Sequence, residues 1–270
     1  MTLQEKIAAM DLAEKEALSS LLGTKESMDD VLAELEALGV SATAGELEAY
    51  IASFWADGSH EHMVFPGAVY ISHPTEYGTI YSKAELTAIS AVCRRYEIPL
   101  YLDGARLAYA LECPESDVTL PDLAALCDAF YIGGTKCGTL SGEAVVFPRR
   151  APKYFLTTVK QHGAMLAKSR LCGVQFDALF TNDLYSRIGQ MAAHATEKLR
   201  AILAAKGYRF FINSPTNQQF VVLENEKLAA LEGKTTFSVW EPYDAAHTVV
   251  RFAVSWATTD ADLDALEKLL

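Results

Sequence analysis

The sequence predicts an α/β large domain with a mostly parallel sheet, followed by a smaller α+β domain. The large domain is predicted by two segments, PLYLDGAR at 99–106 and YIGGTKCG at 131–138. Each runs from a short apolar strand into a turn with glycine and a charged residue. Strands of this kind, with helices between them, are typical of parallel sheets. After Gly207, short strands alternate with turns, which favours a separate small domain.

The first 40 residues show two helical patterns of their own. Apolar residues recur at helical spacing until Gly23, and a second such pattern ends at Gly39. A third helix is expected after Thr43, because Thr43-Ala-Gly-Glu forms a capping box. We therefore expect residues 1–40 to form a helical N-terminal segment.

From residue 63 onward, strand and helix patterns alternate. In the first half we expect strand 64–71, helix 82–96, strand 100–103, helices 107–111 and 121–127, and strands 129–132 and 142–147. Two long helices are then expected at 151–168 and 176–206. They are followed by short strands around Phe210, Phe220, Phe237 and 249–254, and by a last helix capped by Thr259. This order predicts a partial large domain at 41–160 and a small α+β domain at 161–270.

Composition excludes several classes of function. The chain has 270 residues, a net charge of −12 and a pI of about 5.0, so neither nucleic acid nor an anionic membrane is an expected partner. We expect no transmembrane segment and no signal peptide. Five scattered cysteines indicate reduced thiols and a cytoplasmic location. No Cys-x-x-Cys or His-x-x-x-His pair predicts a metal site.

Asp103 and Lys136 each follow one of the two strands. Because ligands bind at the carboxyl ends of parallel strands, both side chains are expected in one crevice. A lysine can form a Schiff base with pyridoxal 5'-phosphate (PLP), and an aspartate can stabilise its protonated ring nitrogen. The sequence thus indicates a PLP site, although a lysine in a glycine-rich surface turn and an Asp-Gly turn would give the same local patterns.

Four motifs in one order carry a family resemblance: VYISHPTEYG at 69–78, LDGARL at 102–107, GGTK at 133–136 and VRF at 250–252. Together they resemble the threonine aldolase and aromatic amino acid β-eliminating lyase family, whose members are PLP enzymes of fold type I. The resemblance runs from about Ala44 to the C-terminus. It implies a PLP-dependent transferase-like large domain and an active site at a subunit interface.

The resemblance also implies roles for individual residues. Lys136 would carry the cofactor, Asp103 would face its ring nitrogen, and Thr135 of the same motif would lie beside it. Arg106 and Arg251 would bind the substrate carboxylate, because arginine offers a planar two-point fork for that group. Without the resemblance, Arg106 fits a helix-face ion pair and Arg251 an edge strand facing water.

The candidate acid–base residues are Glu76 and His73. Threonine aldolases carry Thr-His-Asn-Gly where this chain has Thr75-Glu-Tyr-Gly78, so Glu76 stands at the position of an active-site histidine. A glutamate would need a raised pKa for the same proton transfer, and His73, three residues earlier, is an alternative base. His73 is also explained as a turn residue before Pro74.

The N-terminal portion departs from the family. Members carry a Gly-Thr-type loop at a helix start for the PLP phosphate and a histidine that stacks on the ring, and we find neither. Gly23-Thr24 lies between two predicted helices without a preceding strand. We therefore expect a sheet that is incomplete on its N-terminal side, with an edge that helices or a partner chain cover.

The expected function is a PLP-dependent lyase of amino acid metabolism. It would cleave a β-hydroxy amino acid to glycine and an aldehyde, or eliminate a β-substituent, as a homodimer or homotetramer. Two alternatives stay open: a non-catalytic truncated relative that holds no PLP, and an enzyme whose site another chain completes.

Overall fold

The first sheet contains four strands in the order β1-β2-β3-β4: Val69–Ser72, Leu100–Asp103, Ala129–Ile132 and Ala144–Val146. β1, β2 and β3 are parallel, and β4 pairs with β3 in the antiparallel sense. The computed structural model of the chain describes residues 41–270. The helices that the sequence predicts within 1–40 lie outside the described residues.

The second sheet is antiparallel, with the order β5-β6-β8-β7. Its strands are β5 (Arg209–Phe210), β6 (Gln218–Glu224), β7 (Ser238–Pro242) and β8 (His247–Ala253). The predicted small α+β domain therefore contains a sheet of its own, and β8 lies inside that sheet, between β6 and β7.

Nine α-helices surround the two sheets in the described part of the chain. They are α1 (Ala44–Ala56), α2 (Lys83–Arg95), α3 (Leu107–Leu111), α4 (Leu120–Leu126), α5 (Phe155–Gln161), α6 (Arg170–Leu179), α7 (Leu184–Ala205), α8 (Asn225–Leu231) and α9 (Asp260–Leu269). Capping boxes begin α1 at Thr43, α2 at Ser82, α4 at Thr119 and α9 at Thr259. The helix starts predicted at Thr43, Ser82 and Thr259 are thus confirmed.

The predicted helices at 151–168 and 176–206 are wrong in extent. α5 covers only Phe155–Gln161, and Gly163 follows with a φ of +69°. Asn182 and Asp183, with φ of 52° and 54°, separate α6 from α7. A residue with left-handed backbone angles ends a right-handed helix. The spacing of apolar residues continues past these positions, so it does not show where the helices end.

Two further bounds differ from the prediction. The first strand begins at Val69 rather than at residue 64, and Val64 is 72% exposed. β4 is shorter than the predicted 142–147. Helix α8 lies where the sequence analysis has no element.

The core has two main parts, and α7 belongs to both. Ile188 and Ala192 of α7 pack with the first sheet, whereas Leu199 and Leu203 pack with the second. The change from one core to the other therefore falls inside α7. The domain limits at residues 40 and 160 stay a prediction.

None of the helices within 41–270 combines the length and the apolar character that crossing a bilayer requires.

Candidate active site

The loops after β1, β2 and β3 meet at one edge of the first sheet. Ser72 pairs with Asp103 at the ends of their strands, and the His73 amide donates to the Asp103 carbonyl over 2.8 Å. The Gly133 amide donates to the Gly104 carbonyl, also over 2.8 Å. These bonds bring Asp103 and the lysine loop, residues 133–138, to one edge of the sheet, where ligands bind in folds of this kind.

Two glycines allow the loops to cross. A Cβ on Gly104 would lie 2.1 Å from the Tyr131 carbonyl oxygen, and one on Gly133 would lie 2.2 Å from the Ala105 carbonyl oxygen. Neither atom can move without the backbone. At these positions glycine is required for the close approach of the two loops and not only for a turn.

Asp103 is held by groups on the same face of the sheet. Its Oδ1 accepts from the Ala105 amide over 2.8 Å, and its Oδ2 accepts from the Tyr70 hydroxyl. Tyr70 stacks on Tyr101, with ring centroids 5.5 Å apart. Burial and a hydrogen bond with Asp103 raise the pKa of Tyr131, so its phenol stays protonated. Asp103 is thus a half-buried carboxylate whose orientation is fixed.

Lys136 lies in a single 3₁₀ turn, Thr135–Cys137, directly after β3. The Tyr109 hydroxyl donates to the Lys136 carbonyl and fixes the backbone. The side chain of Lys136 is exposed to solvent. Partial desolvation and the positive charge of Arg106 nevertheless lower the pKa of its amine. The negative charges of Glu76, Asp103 and Glu143 oppose this shift. A lowered pKa increases the fraction of neutral, nucleophilic amine.

Glu143 closes the lysine loop. Its carboxylate accepts from the Gly134 amide and from the Thr135 hydroxyl, the latter over 2.7 Å. The Thr135 hydroxyl is therefore already engaged by a carboxylate, which weakens its predicted contact with a cofactor. Sequence reasoning did not find Glu143, because nothing local marks it as a partner of the GGTK motif.

Arg106 forms an ion pair with Glu76, with 3.2 Å between Nη1 and Oε1. The Arg106 side chain is 14% exposed and the Glu76 side chain 52% exposed. Arg106 is the residue before α3, so its backbone is fixed at the start of that helix. Two predicted site residues from different loops are thus in contact.

Arg251 approaches the crevice from the second sheet. Its Nη1 donates to the Gln218 side-chain oxygen over 2.8 Å, its Nη2 donates to the Ser238 hydroxyl over 3.2 Å, and its guanidinium lies over the Trp240 ring. The buried Nε finds no hydrogen-bond partner among residues 41–270. Burial and the charge of Arg106 lower the pKa of Arg251, whereas the charge of Glu76 raises it.

A buried polar turn ties the second sheet to the Glu76 loop. The hydroxyls of Ser214 and Thr216 donate to the Gly78 carbonyl over 3.0 and 2.9 Å, and the Gln218 amide donates to the Glu76 carbonyl over 3.1 Å. The sequence NSPTNQQ at 213–219 contains four amide side chains. In the structure, it fixes the backbone of residues 76–78.

The backbone of His73 bonds to Asp103, but its ring points into the interior beside Tyr81. Its ring is fully buried, Nδ1 accepts from the Tyr81 amide, and burial lowers its pKa to about 4. An imidazole that is neutral and enclosed cannot reach a substrate in this arrangement, so the predicted role of His73 as a base has no support here. Glu76 is the candidate base that faces the crevice.

Comparison with known proteins identifies the family. Residues 25–226 match the family described as beta-eliminating lyase, which is more than half of the chain. The chain belongs to this family. The match begins at residue 25, within the segment that the sequence analysis separates from the family, and the predicted resemblance is confirmed.

Individual relatives are threonine aldolases by name. The low specificity L-threonine aldolase of Pseudomonas sp. is 31% identical over 206 residues, covering 74% of this chain and 58% of that protein. The solved structure of Leishmania major threonine aldolase is 38% identical, with a TM-score of 0.79, and covers 85% of this chain and 69% of that one. The chain therefore spans less than two thirds of the curated relative's length.

The fold itself is shared more widely. The Sphingomonas wittichii serine palmitoyltransferase superimposes with a TM-score of 0.63 at 13% identity, covering 85% of this chain and 58% of that one. This likeness confirms the predicted fold class, the fold type I architecture of PLP-dependent enzymes. At such low identity it carries no information about activity.

Proposed function

We propose that this chain is a PLP-dependent lyase that cleaves a small β-hydroxy amino acid to glycine and an aldehyde. The observation that carries the proposal is the placement of Asp103 and Lys136 after neighbouring parallel strands, with Arg106 bound to Glu76 and Arg251 joined to the Glu76 loop through Gln218. Its threonine aldolase relatives support the substrate class. β-Elimination from a related amino acid is the second version of the same chemistry.

The residues present fit the reactive part of the cofactor. The lowered pKa of the Lys136 amine favours a bond to an aldehyde, and the fixed carboxylate of Asp103 suits a protonated ring nitrogen. When bound there, PLP supplies an electron sink for the breaking of a bond to the α-carbon. We assign none of the described residues to its phosphate group.

The chain's own residues would orient the substrate and move its protons. Arg106 and Arg251 bind the carboxylate and thereby set which bond at the α-carbon is aligned for cleavage. For aldol cleavage, a Glu76 carboxylate oxygen accepts the proton of the β-hydroxyl group. For β-elimination, the Lys136 amine instead accepts the proton of the α-carbon.

We further propose a cytoplasmic homo-oligomer, either a dimer or a tetramer. The segment 149–174 supports self-association, because it is largely exposed and contains Lys and Arg but no acidic residue, in a chain of net charge −12. Apolar side chains such as Tyr154 and Leu156, 68% and 64% exposed, lie along it. A basic, apolar surface complements the acidic remainder of a second copy.

The proposed cytoplasmic location is supported by the cysteines. The free state of all five is compatible with a reducing compartment.

The proposed reaction predicts that the chain, incubated with PLP and threonine or allo-threonine, releases glycine and acetaldehyde. Quantifying glycine and ammonia by mass spectrometry separates the versions, since elimination releases ammonia and a keto acid instead. A preparation that yields neither product from β-hydroxy or β-substituted amino acids would favour the non-catalytic alternative.

Sedimentation velocity of the same sample tests the proposed oligomer. A single species of 29.5 kDa would contradict it.

A further inference from the structure

The Glu76 carboxylate occupies the place in which a substrate carboxylate is needed. It pairs with Arg106 at 3.2 Å, and its own backbone carbonyl accepts from Gln218, the residue that also binds Arg251. Its charge also raises the pKa of Arg251 and of Lys136. An amino acid bound for reaction at Lys136 would place its carboxylate among these same groups.

We propose that the Glu76 carboxylate takes the place of the substrate carboxylate in the free protein. There it pairs with Arg106, and a binding substrate displaces it. This inference rests on the proposed function in one respect, the assignment of Arg106 to the substrate carboxylate. It adds a competition between two carboxylates for one guanidinium.

The exposure of the two partners allows such an exchange. The Arg106 guanidinium is largely enclosed, so an incoming carboxylate and Glu76 compete for limited space. The Glu76 side chain is about half exposed and is held by a single oxygen, so it can turn into solvent. A pair of this kind is weak, which allows a ligand to break it.

The backbone of the Glu76 loop stays in place during the exchange. Ser214 and Thr216 hold the Gly78 carbonyl, and Gln218 holds that of Glu76. Gly78 has a φ of +73°, and a Cβ there would lie 2.2 Å from the Ser214 hydroxyl oxygen. The displacement is therefore a rotation about the side-chain torsions of Glu76, and not a movement of the loop.

Displacement would couple binding to proton transfer. Once Arg106 binds the substrate carboxylate, both oxygens of Glu76 are free, next to the bound molecule. One of them can then accept the proton of the substrate hydroxyl group, while the electron pair of the broken O–H bond stays on the substrate oxygen. Glu76 would thus act as a base only when the carboxylate site is filled.

The test measures binding of ¹³C-labelled propionate to the chain without PLP, by NMR at constant ionic strength. Removing the competing carboxylate in Glu76→Gln is expected to tighten propionate binding about two- to fivefold, because the pair no longer reduces the available fraction of Arg106. Glu48→Gln is the matched control, since Glu48 pairs with Arg95 in the same manner on the surface. This control should leave propionate affinity unchanged.

A double variant separates competition from a general effect of charge. In the Arg106→Gln background, the change of Glu76 to Gln should no longer alter propionate affinity. Equal affinity of Glu76→Gln and the native chain would overturn the proposal, as would a gain that persists without Arg106. Because the assay contains no PLP, its outcome is independent of whether the chain proves to be a lyase.

Discussion

Replacing Asp103 with asparagine is expected to lower kcat/KM about a hundredfold or more, which is typical for loss of one preorganised electrostatic group. Asparagine keeps the shape of the side chain, and its oxygen can still accept from the Ala105 amide. It removes the negative charge that would stabilise a protonated ring nitrogen. The loss is therefore expected in the chemical step and not in folding, and steady-state kinetics with threonine would measure it.

A cofactor-independent measurement accompanies this prediction. A hydrogen bond with Asp103 contributes to the raised pKa of Tyr131, so Asp103→Asn should shift the NMR signal of that phenol in the protein without PLP. Asp177→Asn, at an exposed position of α6, is the matched control. Full activity in Asp103→Asn would show that Asp103 does not act on the cofactor ring.

Substituting Gly104 with alanine is expected to destabilise the protein by about 3 kcal/mol, the upper part of the usual range for overpacking. The new Cβ would lie 2.1 Å from the Tyr131 carbonyl oxygen and 3.1 Å from the Leu107 Cβ, so strand β3 or helix α3 must shift. Either shift also moves Asp103 relative to Lys136. Urea denaturation with the free energy of unfolding as readout measures the effect.

The control for Gly104→Ala is Gly173→Ala in α6. No atom lies within 4 Å of a Cβ at Gly173, and alanine is favoured over glycine in a helix by about 1 kcal/mol. This control should therefore be neutral or stabilising. If Gly104→Ala were as stable as the native chain, the close crossing of the two loops would be wrong.

The placement of Asp103 and Lys136 after neighbouring strands could be predicted from local sequence, whereas their proposed roles depend on the family resemblance. Asp103 and Lys136 each end a short apolar strand in a glycine-containing turn, and parallel strands deliver such turns to one edge. The capping boxes at Thr43, Ser82 and Thr259 are local in the same way, and these predictions are confirmed.

The residues that were missed act across the chain. Tyr70 donates to Asp103 from 33 positions away, and Gln218 donates to the Glu76 carbonyl from 142 positions away. No local pattern marks such partners, although the segment around Gln218 is rich in amide side chains. They depend on how the second sheet packs against the first, which a single sequence does not specify.

His73 shows that a sequence position leaves the direction of a side chain open. Its position after β1 predicts a side chain in the crevice, yet the ring turns into the interior and lies under Tyr81, with centroids 6.4 Å apart. Sequence proximity to a site thus does not decide the direction of a side chain. Burial also keeps the imidazole neutral, because it lowers the pKa to about 4.

The central claim is that Lys136 holds PLP covalently. Its most direct measurement is incubation of the native chain with PLP, reduction with borohydride and peptide mapping by mass spectrometry, beside Lys136→Ala and the exposed control Lys160→Ala. We predict a visible absorbance band and a pyridoxyl group on the peptide that contains Lys136, with both lost in Lys136→Ala and kept in Lys160→Ala. PLP that washes out of the native chain, or labels other lysines equally, would contradict the account.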